Sequence, residues 1–72
     1  MYLEGRVTRV EGDRVVVDLG FGVEATLARQ KVVPPVLPPY DLAEQFPPGK
    51  IVRVWVEGRN QKGRWQVTMK RS

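Results

Sequence analysis

The 72-residue chain contains no cysteine and no histidine. Without cysteine it has no disulfide framework and no thiolate metal site. Without histidine it lacks the commonest metal ligand and the usual general base near neutral pH. An acid–base site would need paired carboxylates, and the eight acidic residues are scattered along the chain. We therefore expect no enzyme, no catalytic residue, no bound metal and no cofactor.

Long apolar segments are also missing. No apolar run approaches the ~18 residues of a membrane span, and the first residues lack the charged and apolar regions of a signal peptide. Together with the missing cysteines, this favours a cytoplasmic protein that binds no membrane. A chain of this length is enough for one domain, which we expect to cover residues 1–72 as a monomer.

The apolar residues that are present favour strands. The chain has thirteen valines and five leucines, and β-branched side chains suit a pleated sheet better than a helix. Val15, Val17 and Leu19 alternate with the period of a half-buried strand. Glycine-containing turns interrupt these runs. The pattern predicts five strands, at about residues 2–10, 14–19, 23–28, 51–57 and 64–70.

Two interruptions of this pattern carry information. Val7 and Val10 are three residues apart instead of two, which predicts a bulge near Thr8 and Arg9. All six prolines lie within residues 32–49, and proline cannot donate to a strand ladder. We therefore expect a long proline-rich connection between the third and fourth strands, with one helical turn within residues 40–45.

Charge is distributed unevenly. Residues 1–49 hold five basic residues against seven carboxylates, a net charge of −2, whereas residues 50–72 hold seven basic residues against one carboxylate, a net charge of +6. A basic terminal hairpin on a nearly balanced body is typical of a protein that binds polyanions. The alternative is a charged surface that serves only solubility.

The two tryptophans differ in their predicted positions. Trp65 alternates with Val67 and Met69, which predicts that it faces the core. Val52, Val54 and Val56 form the apolar, inward face of the fourth predicted strand. Trp55 lies on its other face, together with Arg53. It is either a stacking platform for a nucleobase or a residue that packs against the proline-rich connection.

Five segments stand out along the chain: Gly5 to Val10, Val15 to Gly20, Gly22 to Leu27, Gly49 to Val54 and Gly63 to Lys70. In this order and spacing they resemble an S1-type RNA-binding domain, a member of the OB-fold superfamily, over essentially the whole chain. Together with the alternating pattern, the resemblance predicts an all-β fold, a five-stranded antiparallel OB-fold barrel. We expect its core to contain Val7, Val15, Val17, Leu27, Val54, Trp65 and Val67.

The resemblance also implies which functional residues are kept. The family's base-stacking aromatic and histidine side chains are replaced here by Asp13, Val16 and Ala28. The polar residue before the last turn and the arginine after it are retained as Asn60 and Arg64. The resemblance thus implies RNA binding without the usual aromatic platform.

The sequence therefore predicts a small module that binds single-stranded RNA weakly, or joins a ribonucleoprotein, through a basic loop-and-strand surface. Asn60 either contacts a base or ribose or simply initiates the turn. The predicted RNA-binding residues are Arg14, Trp55, Arg59, Asn60, Lys62 and Arg64.

Two alternatives stay open. One is a protein-interaction barrel that has lost RNA binding and docks a partner through Trp55, Phe21 or the Pro34–Pro48 loop. The other is a binder of double-stranded DNA of the small basic barrel type.

Overall fold

Five strands close into a barrel in the computed structural model, which describes residues 2–70. The strands are β1 (Leu3–Glu11), β2 (Arg14–Gly20), β3 (Val23–Ala28), β4 (Ile51–Arg59) and β5 (Trp65–Thr68). Their order around the barrel is β1-β2-β3-β5-β4, and β4 returns to pair with β1. The connection between β3 and β4 contains a 3₁₀ turn at Arg29–Lys31 and the one-turn helix α1 at Leu42–Gln45.

The prediction that all strands are antiparallel is wrong. β3 and β5 run parallel, with Ala25 opposite Trp65 and Leu27 opposite Val67, while the other four pairs are antiparallel. Strand directions cannot alternate around a closed ring with an odd number of members. A five-stranded closed barrel therefore needs at least one parallel pair, and here the long connection before β4 allows it.

Register shifts bend three of the strand pairs. The pairing of β1 with β2 slips between Val7 and Arg9, which confirms the bulge predicted from the valine spacing. A similar shift in β4, between Val56 and Gly58, leaves Val56 exposed although Val52 and Val54 are buried. Such bulges increase the local twist and help a short sheet to close on itself.

The core follows the predicted alternation closely. Six of the seven expected residues are buried, and Trp65 is half-buried against the edge of the core cluster. A fully buried valine or leucine side chain contributes about 1.5–3 kcal/mol relative to an exposed one. The six buried residues of the prediction are Val7, Val15, Val17, Leu27, Val54 and Val67.

The β3–β4 connection supplies core residues that alternation does not reveal. Val32, Leu42 and Phe46 are all buried within the main cluster. α1 falls inside the predicted helical segment. The connection is also tied to β1, because Val7 donates its N–H to the Lys50 carbonyl and accepts from the N–H of Gly49, both at 2.8 Å. The connection is thus part of the folded body and holds the start of β4 in place.

Candidate nucleic-acid interface

The turns between β1 and β2 and between β4 and β5 lie side by side at one end of the barrel. Between them runs an open groove of about 620 Å³, which we call the basic groove. Four of the six predicted RNA-binding residues line it: Arg14, Asn60, Lys62 and Arg64. The remaining lining residues are Glu11, Gly12 and Gln61.

Asn60 shapes the β4–β5 turn. Its side-chain oxygen Oδ1 accepts hydrogen bonds from the backbone N–H groups of Lys62 and Arg64, both at 2.9 Å. Its backbone carbonyl accepts from the N–H of Gly63, also at 2.9 Å, and Gly63 has the positive φ of 78° that favours glycine. Of the two roles considered for Asn60, turn formation therefore has direct structural support. The turn positions both neighbouring cations.

Arg64 extends the basic groove onto the outer face of the barrel. It also lines a shallow hollow formed by Arg9, Val16, Glu24, Ala25 and Thr26. Val16 lies between two core valines of an alternating strand, so it belongs to the other face of β2, outside the main core cluster. It pairs with Arg9 on one side and with Thr26 on the other. Val16 and Thr26 are nevertheless buried, so this face has a covered aliphatic and a covered hydroxyl side chain where stacking rings would be needed for an aromatic platform.

Glu11 places a negative charge beside the cations of the groove. Its carboxylate accepts a hydrogen bond from Arg9 Nε at 2.7 Å, and Arg9 also lies 3.5 Å from the Glu24 carboxylate. The hydrogen bond and the charge of Arg9 lower the pKa of Glu11, and the charges of Arg64 and Arg14 lower it further. Glu11 therefore stays ionised at neutral pH and offsets part of the positive charge of the groove.

The groove cations themselves are free of ion pairs. Within residues 2–70, Arg14, Lys62 and Arg64 make no salt bridge with a carboxylate. Arg9, which sequence reasoning missed, is on the adjoining face but is held by two carboxylates. Only the bulge between Val7 and Arg9 could have revealed its position, since the shift changes which β1 side chains face outward.

Arg59 lies at the edge of this site and does not line the groove. Its guanidinium carbon Cζ is 4.3 Å from the centroid of the Trp65 ring, which is on the opposite residue of β5. This contact holds the guanidinium against an indole face. Arg59 directly precedes Asn60, so the stacked pair stands at the entrance to the β4–β5 turn.

Trp55 lies apart from the basic groove. It is half-buried, and its ring meets the Tyr2 ring edge-on with a centroid distance of 6.2 Å. Arg59 follows Trp55 by four positions in β4, which is a distance of about 13 Å along the strand at ~3.3 Å per residue. The observed aromatic partner of Trp55 is thus Tyr2. Phe21, at the tip of the β2–β3 turn, is fully exposed with a positive φ of 54°.

Over residues 2–70, no three or more carboxylates are grouped so that they could hold a metal ion. No helix within that range is long and apolar enough to cross a membrane. No protein-family model matches the chain, and no curated protein matches it either.

Proposed function

We propose that the protein is an S1-like OB-fold domain that binds single-stranded RNA weakly through the basic groove. The observation that carries this proposal is the meeting of the β1–β2 and β4–β5 turns around three cations, none of which is paired with a carboxylate of the described residues. In OB folds these two loops border the surface that binds oligonucleotides. The closed five-stranded barrel is consistent with that fold.

The chemistry of the side chains assigns their roles. Arg14 and Arg64 donate paired N–H groups to phosphate oxygens, while Lys62 acts as a mobile point charge. Arg59, held against Trp65 at 4.3 Å, offers the outer side of a guanidinium plane to a base. Because single-stranded RNA exposes both phosphates and unstacked bases, it suits this arrangement better than a duplex does.

Binding is expected to depend strongly on salt. With ~3–4 phosphates neutralised, and about −0.7 per phosphate on single strands, the slope of log affinity against log salt should be roughly −2 to −3. Fluorescence polarisation of a labelled oligouridine at several salt concentrations measures this slope. Tight binding with a flat salt response would contradict the proposal, because it would require stacking or hydrogen bonding to dominate.

Replacing Glu11 with glutamine should strengthen RNA binding by a few fold. The change removes the negative charge beside Arg14 and Arg64 and releases Arg9 from its 2.7 Å hydrogen-bonded ion pair. The same titration with oligouridine measures the gain, which should shrink as salt screens the charges.

Glu44→Gln is the matched control for Glu11→Gln. It makes the same change in net charge on the exposed surface of α1, away from the basic groove. If both variants gain affinity equally, net charge alone explains the effect and Glu11 has no local role. A lower affinity of Glu11→Gln would show that its ion pair with Arg9 shapes the site.

A further inference from the structure

A second groove lies at the other end of β4, between that strand and the β3–β4 connection. This loop groove encloses about 420 Å³. Its floor is formed by the buried side chains of Val32, Phe46 and Val52, and its edge by Val33, Tyr40 and Ile51. β4 has nine residues and so spans about 30 Å. The basic groove adjoins the far end of that strand, so the two grooves are separate surfaces.

Three large apolar side chains at the edge of the loop groove are exposed. Tyr40 is 61% exposed, Ile51 50% and Val33 45%. Single exposed apolar residues are common, but several around one concave surface are typical of an interaction site. The groove has the volume of a ligand pocket, and Leu37 of the same proline-rich connection is also exposed.

The polar groups of the loop groove are mainly cationic. Lys50 and Arg53 both line it, and no carboxylate of residues 2–70 does. Lys50 Nζ donates to the Gln45 carbonyl at 3.0 Å and lies 5.2 Å from the Phe46 ring centroid. Arg53 lies with its guanidinium 5.0 Å from the Tyr2 ring centroid. Neither cation forms an ion pair with a carboxylate of the described residues 2–70.

An apolar floor with two cations, and with no carboxylate from the described part of the chain, fits an occupant that is both apolar and acidic. RNA would gain little from the floor, because nucleic-acid interfaces are much more polar than this surface. A free metabolite would leave the apolar edge at Tyr40 and Ile51 uncovered. A short stretch of polypeptide covers both the floor and the edge.

We propose that the loop groove docks an acidic–aliphatic segment of a partner protein. A leucine-like or phenylalanine-like side chain enters over Val32, Phe46 and Val52, and neighbouring carboxylates pair with Lys50 and Arg53. The apolar contact supplies the buried centre of the interface, and the ion pairs form its rim. This site is independent of RNA binding at the opposite end of β4.

The test uses a fluorescein-labelled octapeptide in which aspartate alternates with leucine. Fluorescence polarisation should show saturable binding to the wild-type protein. The double variant Lys50→Glu with Arg53→Glu should weaken it at least tenfold, as should replacing the leucines of the peptide with serine. The matched control Lys62→Glu with Arg64→Glu makes the same charge change in the basic groove and should alter peptide affinity less than twofold.

Three results would overturn the proposal. One is the absence of saturable binding to the wild-type protein. Another is an equal loss of peptide affinity in both double variants, which would mean that the net charge of the protein alone causes the binding. The third is a wild-type dimer in sedimentation that Ile51→Asp dissociates, because a second copy of the chain would then cover the groove. Circular dichroism of each variant checks that the protein still folds after Lys50 and Arg53, or Ile51, have been replaced.

Discussion

Reversing the charge of Lys62 and Arg64 together should abolish detectable binding of single-stranded RNA. Each substitution replaces attraction to a phosphate with repulsion, and charged hydrogen bonds contribute about 1–2 kcal/mol each. The double variant should therefore lose about 2–4 kcal/mol, or roughly 30- to 1,000-fold in affinity at 1.4 kcal/mol per tenfold. Polarisation of labelled oligouridine at low salt, where wild-type binding is strongest, measures the loss.

The structure makes this experiment informative because both side chains are exposed. The bonds that hold the β4–β5 turn join Asn60 Oδ1 to the backbone N–H groups of Lys62 and Arg64 and do not use their side chains. Folding stability should thus stay within about 0.5 kcal/mol of the wild type. Thermal unfolding of the variant checks this directly.

The double variant Lys50→Glu with Arg53→Glu serves here as the charge-matched control. It lowers the net charge by the same amount as the Lys62→Glu, Arg64→Glu variant does, but at the opposite end of β4. RNA affinity should therefore fall only because the long-range attraction between the whole protein and RNA is weaker. Should a folded Lys62→Glu, Arg64→Glu protein bind RNA as well as the wild type does, the basic groove is not the RNA-binding surface. Equal losses in both double variants would indicate attraction by total charge without a defined site.

The barrel core was predictable because it depends on short-range alternation. Strand β3 was predicted with its observed bounds, and Val15, Val17 and Val54 are buried as expected. Val32, Leu42 and Phe46 escaped prediction since the connection that carries them has no regular period. Val56 was assigned to the inward face of β4, and the register shift between Val56 and Gly58 explains its exposure.

The candidate site was predictable to the extent that turn residues mark the ends of strands. Arg14, Asn60, Lys62 and Arg64 were expected near turns, and the structure brings them to one groove. The sequence could not show that Trp55 lies outside that site, because an aromatic side chain on the outward face of β4 can turn toward any neighbouring strand. The ion pair of Arg9 with Glu11 joins residues two positions apart on one strand. That Glu11 also lies beside the cations of the groove needed coordinates, because Asn60, Lys62 and Arg64 come from a distant part of the chain.

The largest expected effect on stability comes from Gly5→Ala. Gly5 is buried in β1 opposite Val52, two residues before the core residue Val7. A Cβ atom at this position would overlap Cγ1 of Val17 and approach Leu19 Cδ2 to 3.3 Å. Because Val17 is completely buried, its side chain has little room to move. Overpacking of this kind costs about 1–3 kcal/mol, occasionally more.

In a domain of this size, each kcal/mol lowers the melting temperature by about 4–8 °C. Gly5→Ala should therefore melt roughly 10–20 °C below the wild type, and thermal unfolding followed by circular dichroism measures the shift. The double variant with Val17→Ala identifies the cause, because removing Cγ1 of Val17 also removes the overlap. Alanine at position 5 should then cost little in the Val17→Ala background, and the two effects should be strongly non-additive. A Gly5→Ala protein that melts like the wild type would mean that β1 and β2 can separate enough to admit a methyl group. Additive losses would mean that the overlap with Val17 Cγ1 is not the cause of the destabilisation.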